Sequence, residues 1–153
     1  LIVDIMEYMR HQHNIKIGER TAEEIKINVG SALSQLDNPP ADYVIQGPNQ
    51  MTALPIEVPV SYQEISHCLE KSINKIETAI LSALEQTPPE LYADIVARGI
   101  WLAGGGALLR GLAKRFTDKI NIQFHVAEDP LRAVARGTGI ALKNVNKFSF
   151  LIR

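Results

Sequence analysis

At 153 residues the chain is long enough to bury a core as one domain or two small ones, and with 46% hydrophobic and 22% charged residues it is neither disordered nor fibrous. Its 16 Lys and Arg stand against 17 Asp and Glu, so a net charge of −1 gives no bulk electrostatic reason to seek nucleic acid or an anionic membrane. The one cysteine, Cys68, cannot close an intramolecular disulfide, which fits a reducing cytoplasm, and no apolar run of about 18 residues or more occurs.

The chain starts at Leu1, without a methionine, in "LIVDIMEYMRHQHN", whose apolar spacing predicts a helix over 1–13 and a beginning that lies elsewhere in a longer protein. Thr21 with Glu24 forms a capping-box pattern that predicts a short helix over 22–29. Proline-rich turns then flank two apolar stretches, 43–46 and 55–61, which read as paired strands confined by their prolines to sheet edges. Ser61 with Glu64 makes a second capping box, and Ile65, Cys68, Leu69, Ile73, Ile76, Ile80 and Leu84 follow at helical spacing to residue 85. "TPPE" stops that helix and starts another, with Thr87 as cap and prolines in the first turn. "GIWLAGGG" reads as a short strand ending in glycine, "LLRGLAKRF" as a helix, "INIQFHVA" as a strand and "DPLRAVARGTGIALKNV" as a last helix. Strands alternating with helices predict an α/β fold with a parallel, helix-covered sheet.

Chemistry concentrates at Gly104, Gly105 and Gly106. A strand that runs through glycines into a helix offers backbone N–H groups and the positive end of a helix dipole to an anion, and glycine also lets a flat ring lie against the chain. A tight turn with close packing explains the same stretch. The pattern is neither the GxxxxGK[ST] phosphate loop nor GxGxxG with a following acid. The histidines at 11, 13, 67 and 125 lack the spacing of a zinc site, no serine sits in a nucleophile elbow, and Cys68 falls on the apolar stripe of the long helix as a core thiol. His11 and His13 read as surface residues at a helix end, and Arg132 and Arg136 as one solvated basic face.

The stretches "IGERTAEEIK", "LEQTPPELYADIVARGIWLAGGGALLRGL" and "VAEDPLRAVARGTGIAL", in that order, resemble the C-terminal half of the MreB family, the bacterial actin homologues that determine rod shape. The resemblance runs over nearly the whole chain. It implies the second lobe of an actin-like ATPase, with a smaller subdomain at 1–66 (actin-like subdomain IIB) and a larger ribonuclease H-like one at 67–153 (subdomain IIA). It implies an ATP or ADP site with Mg2+, in which Gly104, Gly105, Gly106 and Ala107 line adenine and ribose, Glu23 and Lys26 face them from a helix, and Glu24 and Ile27 stand close by. Leu131 and Arg132 are weaker candidates for the far side of the base, and Gly137 and Gly139 serve helix packing. The phosphate hairpins, the acids that hold magnesium and the membrane anchor belong to the first lobe in that family, so the resemblance implies a fragment inactive alone, from a slow ATPase coupled to polymerisation. The implied partners are further copies in a filament, the cell-wall elongation machinery and, through the other lobe, the inner face of the cell membrane. A sugar-kinase or heat-shock-chaperone lobe is the alternative within the fold, and a module without nucleotide the alternative outside it. The stretch "SQLDNPPADYVIQGPNQMTALPIEV" departs from the charged hairpin expected of the family, which bears on filament contacts.

Overall fold

A computed structural model describes residues 1–132. Helix α1 (Ile2–His13) buries Ile5 and Met9, one turn apart, and ends at Asn14 in the left-handed conformation. Helix α2 (Glu19–Val29) buries Ala22, Ile25 and Val29 on one face. It begins three residues before the predicted start: Gly18, not Thr21, is its N-cap and no side chain closes it. Thr21 lies inside the first turn, where the extended backbone of Gly18 and the acid Glu19 at the positive helix end make a threonine cap unnecessary.

Strands β1 (Tyr43–Pro48) and β2 (Pro55–Val60) pair antiparallel, from Tyr43 opposite Val60 to Pro48 opposite Pro55. With two strands both are edges, as the prolines require. The capping box at Ser61 forms as predicted: Ser61 Oγ accepts from the Glu64 N–H at 3.2 Å and Glu64 Oε2 accepts from the Ser61 N–H at 3.0 Å. It opens α3 (Tyr62–Glu85), a helix of 24 residues, in whose second turn the expected division at residue 66 falls. Glu64 also takes hydrogen bonds from Tyr8 (2.9 Å) and His13 (2.8 Å), so His13 belongs to a joint between α1 and α3 rather than to free surface. Burial works against ionised Glu64, but these bonds and the Ser61 N–H outweigh it and lower the carboxyl pKa, while burial and Glu64 push Tyr8 up to about 12. Cys68 is half-buried, its thiol donating to the Asp4 carbonyl at 3.2 Å and raised by burial to about 12, consistent with an inert packing thiol.

Thr87 closes α3 rather than capping its successor: its Oγ1 donates back to the Ala83 carbonyl at 2.8 Å, and α4 (Pro89–Arg98) starts from Pro88. The parallel pair predicted downstream is present as β3 (Ile100–Leu102) and β4 (Phe124–Val126), joined through α5 (Leu112–Ile120). The predicted helix over "LLRGLAKRF" is helical only from Leu112, as α5: its first residue, Leu108, ends a 3-10 turn (Gly105–Leu108), and Gly111, the N-cap of α5, takes φ +75° between the two. The predicted last helix lies outside the described residues beyond Arg132, and with it Arg136, Gly137 and Gly139.

One continuous core joins these elements, with Ile5, Ile25, Val60, Ile65, Ile73 and Phe116 at its centre. A charged group sits inside it. Arg115, 5% exposed, donates from Nε to Glu77 at 2.6 Å, from Nη1 to Glu70 at 2.6 Å and to the Ala32 carbonyl at 3.1 Å, and from Nη2 to Glu70 and Asn74 at 3.0 Å each. Arg115→Ala leaves Glu77, itself 5% exposed, as a buried charge without its partner, and is expected to cost about 3–5 kcal/mol in chemical denaturation, much of it recovered in Arg115→Met combined with Glu77→Leu. The hydrogen bonds from Arg115 hold Glu70 below its ordinary pKa of 4.5; a depressed carboxylate adds stability above that value and loses it as pH falls through the folded one. Glu70→Gln is therefore expected to flatten the acid limb of the stability curve.

Candidate functional site

A cleft of about 400 Å³ opens between the last two turns of α2 and the glycine segment after β3. Glu23, Lys26 and Ile27 form one wall, Gly105, Gly106, Leu108 and Leu109 the other, and Leu1 and Leu131 complete the rim. Helix geometry places Glu23, Lys26 and Ile27 together, since residues three and four apart share a face. Lys26 Nζ and Glu23 Oε1 pair at 2.9 Å along that wall, the lysine the less exposed of the two. Ile27 is 62% exposed, an apolar side chain left open to the cleft.

Opposite, Gly104 takes φ +83°, a conformation costly to any side chain, and its N–H donates to the Pro130 carbonyl at 2.7 Å. This bond brings the 127–132 segment across the glycines, and a Cβ on Gly105 would stand 3.3 Å from Leu131 Cδ2. A Cβ on Gly106 would meet nothing within 4 Å.

Of the residues singled out in sequence, Glu23, Lys26, Ile27, Gly105 and Gly106 thus meet on the cleft, and Leu131 joins them. Glu24 turns aside: it accepts from the Tyr43 hydroxyl at 3.3 Å and pairs with Arg20 at 3.6 Å. Ala107 is buried behind the glycines, and Gly104 shapes the turn without lining the space. Arg132 is 81% exposed on its side chain and pairs with Asp129 at 3.9 Å. Leu1, Leu108 and Leu109 were not anticipated; Leu108 and Leu109 come one residue after the glycine run, past Ala107, so its wall extends further than the glycines alone suggest. Among the described residues no group of three or more His, Cys, Asp or Glu is placed to hold a metal ion, and no helix is long and apolar enough to cross a membrane.

What the cleft can take follows from its walls. Ile27, Leu108, Leu109 and Leu131 offer apolar faces to a flat group, the missing side chains of Gly105 and Gly106 give it room, and the pair of Glu23 and Lys26 supplies a carboxylate acceptor and an ammonium donor at the edge.

This arrangement of elements is that of a lobe of the actin-like fold. MreB5 of Spiroplasma citri bound to ADP matches it with a TM-score of 0.88 and 38% identity, over 95% of this chain and 44% of that one. The MamK double helical filament matches with a TM-score of 0.67 over 85% and 39%, at 18% identity a likeness of fold alone. The family model described as MreB/Mbl protein matches residues 2–150, and the chain belongs to that family of cell shape-determining, actin-like proteins. Its curated relatives include the cell shape-determining protein Mbl of Bacillus subtilis (strain 168), 39% identical over 145 residues, covering 95% of this chain and 43% of the relative. The cell shape-determining protein MreB of Escherichia coli (strain K12) is 41% identical over 146 residues, covering 93% and 40%. The chain spans about two fifths of the length of these relatives. Membership decides against the sugar-kinase and chaperone alternatives.

Proposed function

We propose that the cleft takes the adenosine part of ATP or ADP, and that the chain is the nucleotide-binding second lobe of an ATP-dependent protein that assembles into filaments and determines rod shape by organising cell-wall synthesis at the inner face of the membrane. The observation that carries the reading is the meeting of Gly105 and Gly106 with Glu23, Lys26 and Ile27 on opposite walls of one space. Support comes from MreB5 of Spiroplasma citri, 38% identical, which is bound to ADP in one crystal structure and to AMPPNP in another. Adenine suits the space: its faces are apolar, and its edge carries both acceptors and a donor for Lys26 and Glu23. Mg2+ finds no acidic cluster among the described residues, so the reading assigns it, with the phosphates it accompanies, to the part of the relatives that this chain does not span. Self-association and contact with the cell-wall machinery are proposed of the whole protein, on the strength of its family.

Base and ribose contacts alone set a weak site, so an amide-resonance titration with ADP is carried into the millimolar range, where binding amounts to about 4 kcal/mol. Shifts at Lys26, Ile27, Gly105 and Gly106 are expected, and a titration that moves none of them defeats the reading. Gly105→Val closes the gap to Leu131; because φ at Gly105 lies outside the left-handed region, the fold should persist while the shifts disappear.

Lys26→Ala is expected to weaken ADP binding by about 0.5–3 kcal/mol, the range for one neutral to charge-assisted hydrogen bond. Lys75→Ala, on α3 and away from the cleft, is the matched control. Equal losses at the two positions would remove Lys26 from the site.

A further inference from the structure

We propose that Arg110 is the positioning residue that sets the separation of the two cleft walls, acting through the last turn of α2 rather than by touching the ligand. The inference rests on the nucleotide reading of the cleft. Arg110 follows Leu109 directly on the glycine wall, yet its guanidinium reaches across the chain: Nη1 donates to the Ile27 carbonyl at 3.1 Å and to the Gly30 carbonyl at 3.3 Å. These carbonyls belong to the C-terminal end of α2, where the last C=O groups lack helical partners and the helix dipole is negative. A cation there satisfies both needs. The turn it grips is the one that carries Lys26 and Ile27 into the cleft, so the same contact fixes where those side chains stand relative to Gly105 and Gly106.

The walls are docked independently of this side chain, which separates positioning from folding. The Arg110 carbonyl accepts from the Ala32 N–H at 2.8 Å, residues 31 and 110 form a parallel bridge, and Leu109 packs so closely on Gly30 that a Cβ there would stand 2.9 Å from its Cδ1. Arg110→Ala keeps all of these. What it loses is the grip on two carbonyls, hence the alignment of the α2 wall, while the docked backbone holds the lobe together. Arg110 does not line the cleft, so a ligand effect has to pass through α2.

The test uses the 153-residue chain and ADP as the probe. Arg110→Ala is expected to stay folded, to weaken ADP binding about tenfold, as loss of a charge-assisted contact would, and to speed amide exchange at Gly30, whose N–H donates to Lys26, without affecting Ala22, whose N–H donates to Gly18 at the other end of α2. Arg110→Lys, with one ammonium in place of the fork, should recover part of the affinity. Thr117→Val supplies the stability control: it removes a bond to the Phe124 N–H (3.0 Å) far from the cleft and should leave ADP affinity unchanged. Equal weakening by Arg110→Ala and Thr117→Val would mean a general loss of stability and overturn the proposal, as would a folded Arg110→Ala with unaltered affinity. If the unmodified chain binds no ADP, the nucleotide reading fails; the exchange of Gly30 then decides on Arg110 alone, and an unaltered rate sinks it.

Discussion

A guanidinium inside the core is the constraint around which the lobe is arranged. Arg115 has five N–H donors and all five are used, on Glu77, Glu70 twice, Asn74 and the Ala32 carbonyl. A charge so placed is tolerable only when every donor is met, because an unpaired one forfeits its hydration for nothing. That demand fixes three elements at once: α5, which carries the arginine, α3, which supplies the carboxylates and amide, and the chain just after α2. Apolar packing is non-directional: the contact of Phe116 with Phe124, ring centroids 5.3 Å apart, ties α5 to β4 but does not fix where α5 stands along α3. The ion network does. Burial opposes the charge on Arg115, yet the two carboxylates outweigh it and hold its pKa above the ordinary value, so the network stays charged.

The cleft is a consequence of that arrangement. Arg115 holds Ala32 and Arg110 holds Ile27 and Gly30, so two arginines five residues apart secure the end of α2 to the segment that follows the glycines. The space left between them is walled by leucines and Ile27 and edged by the pair of Glu23 and Lys26. Partly exposed pairs contribute little, about 0–1 kcal/mol, so a ligand that redirects either side chain gives up little of the lobe's own stability. A rigid frame with an adaptable polar edge is what a binding site needs if ordering is not to consume the affinity.

How much of this is legible in the sequence depends on distance along the chain. The capping box of Ser61 and Glu64 is a pattern of four residues and forms as read; the proline-bounded hairpin and the short strand before the glycines are equally local. Thr21 and Thr87 have the same local signature and do something else, because a glycine upstream and the end of the preceding helix claim their places. Glu23 and Glu24 show the limit within one element: neighbours on a helix point about 100° apart, and only the position of α1, β1 and the glycines decides which of them meets the cleft. Arg110 and Arg115 read in sequence as two basic residues of an amphipathic stretch. Their partners lie 38 to 83 residues away, in α2, α3 and the chain between, and no periodicity announces them.

The glycines divide by the same logic into those the fold requires and those it does not. At Gly30 a Cβ would collide with the Lys26 carbonyl oxygen, and at Gly111 it would meet Leu33 at 2.8 Å with φ +75°, so packing accounts for both. Gly104 is accounted for by its backbone, φ +83° with open space around it. Gly106 has neither reason: φ lies outside the left-handed region and a side chain there would touch nothing within 4 Å. Within a 3-10 turn an alanine would serve the chain better, since glycine loses more conformational freedom on folding. Gly106 is thus a residue the fold does not ask for, at the open wall of the cleft beside exposed Leu108 and Leu131, and such local departures from what folding favours are typical of binding surfaces. The tight-turn explanation of the three glycines therefore covers Gly104, leaves Gly105 shared between Leu131 and the cleft, and does not reach Gly106, where a side chain would project into open space on the cleft wall.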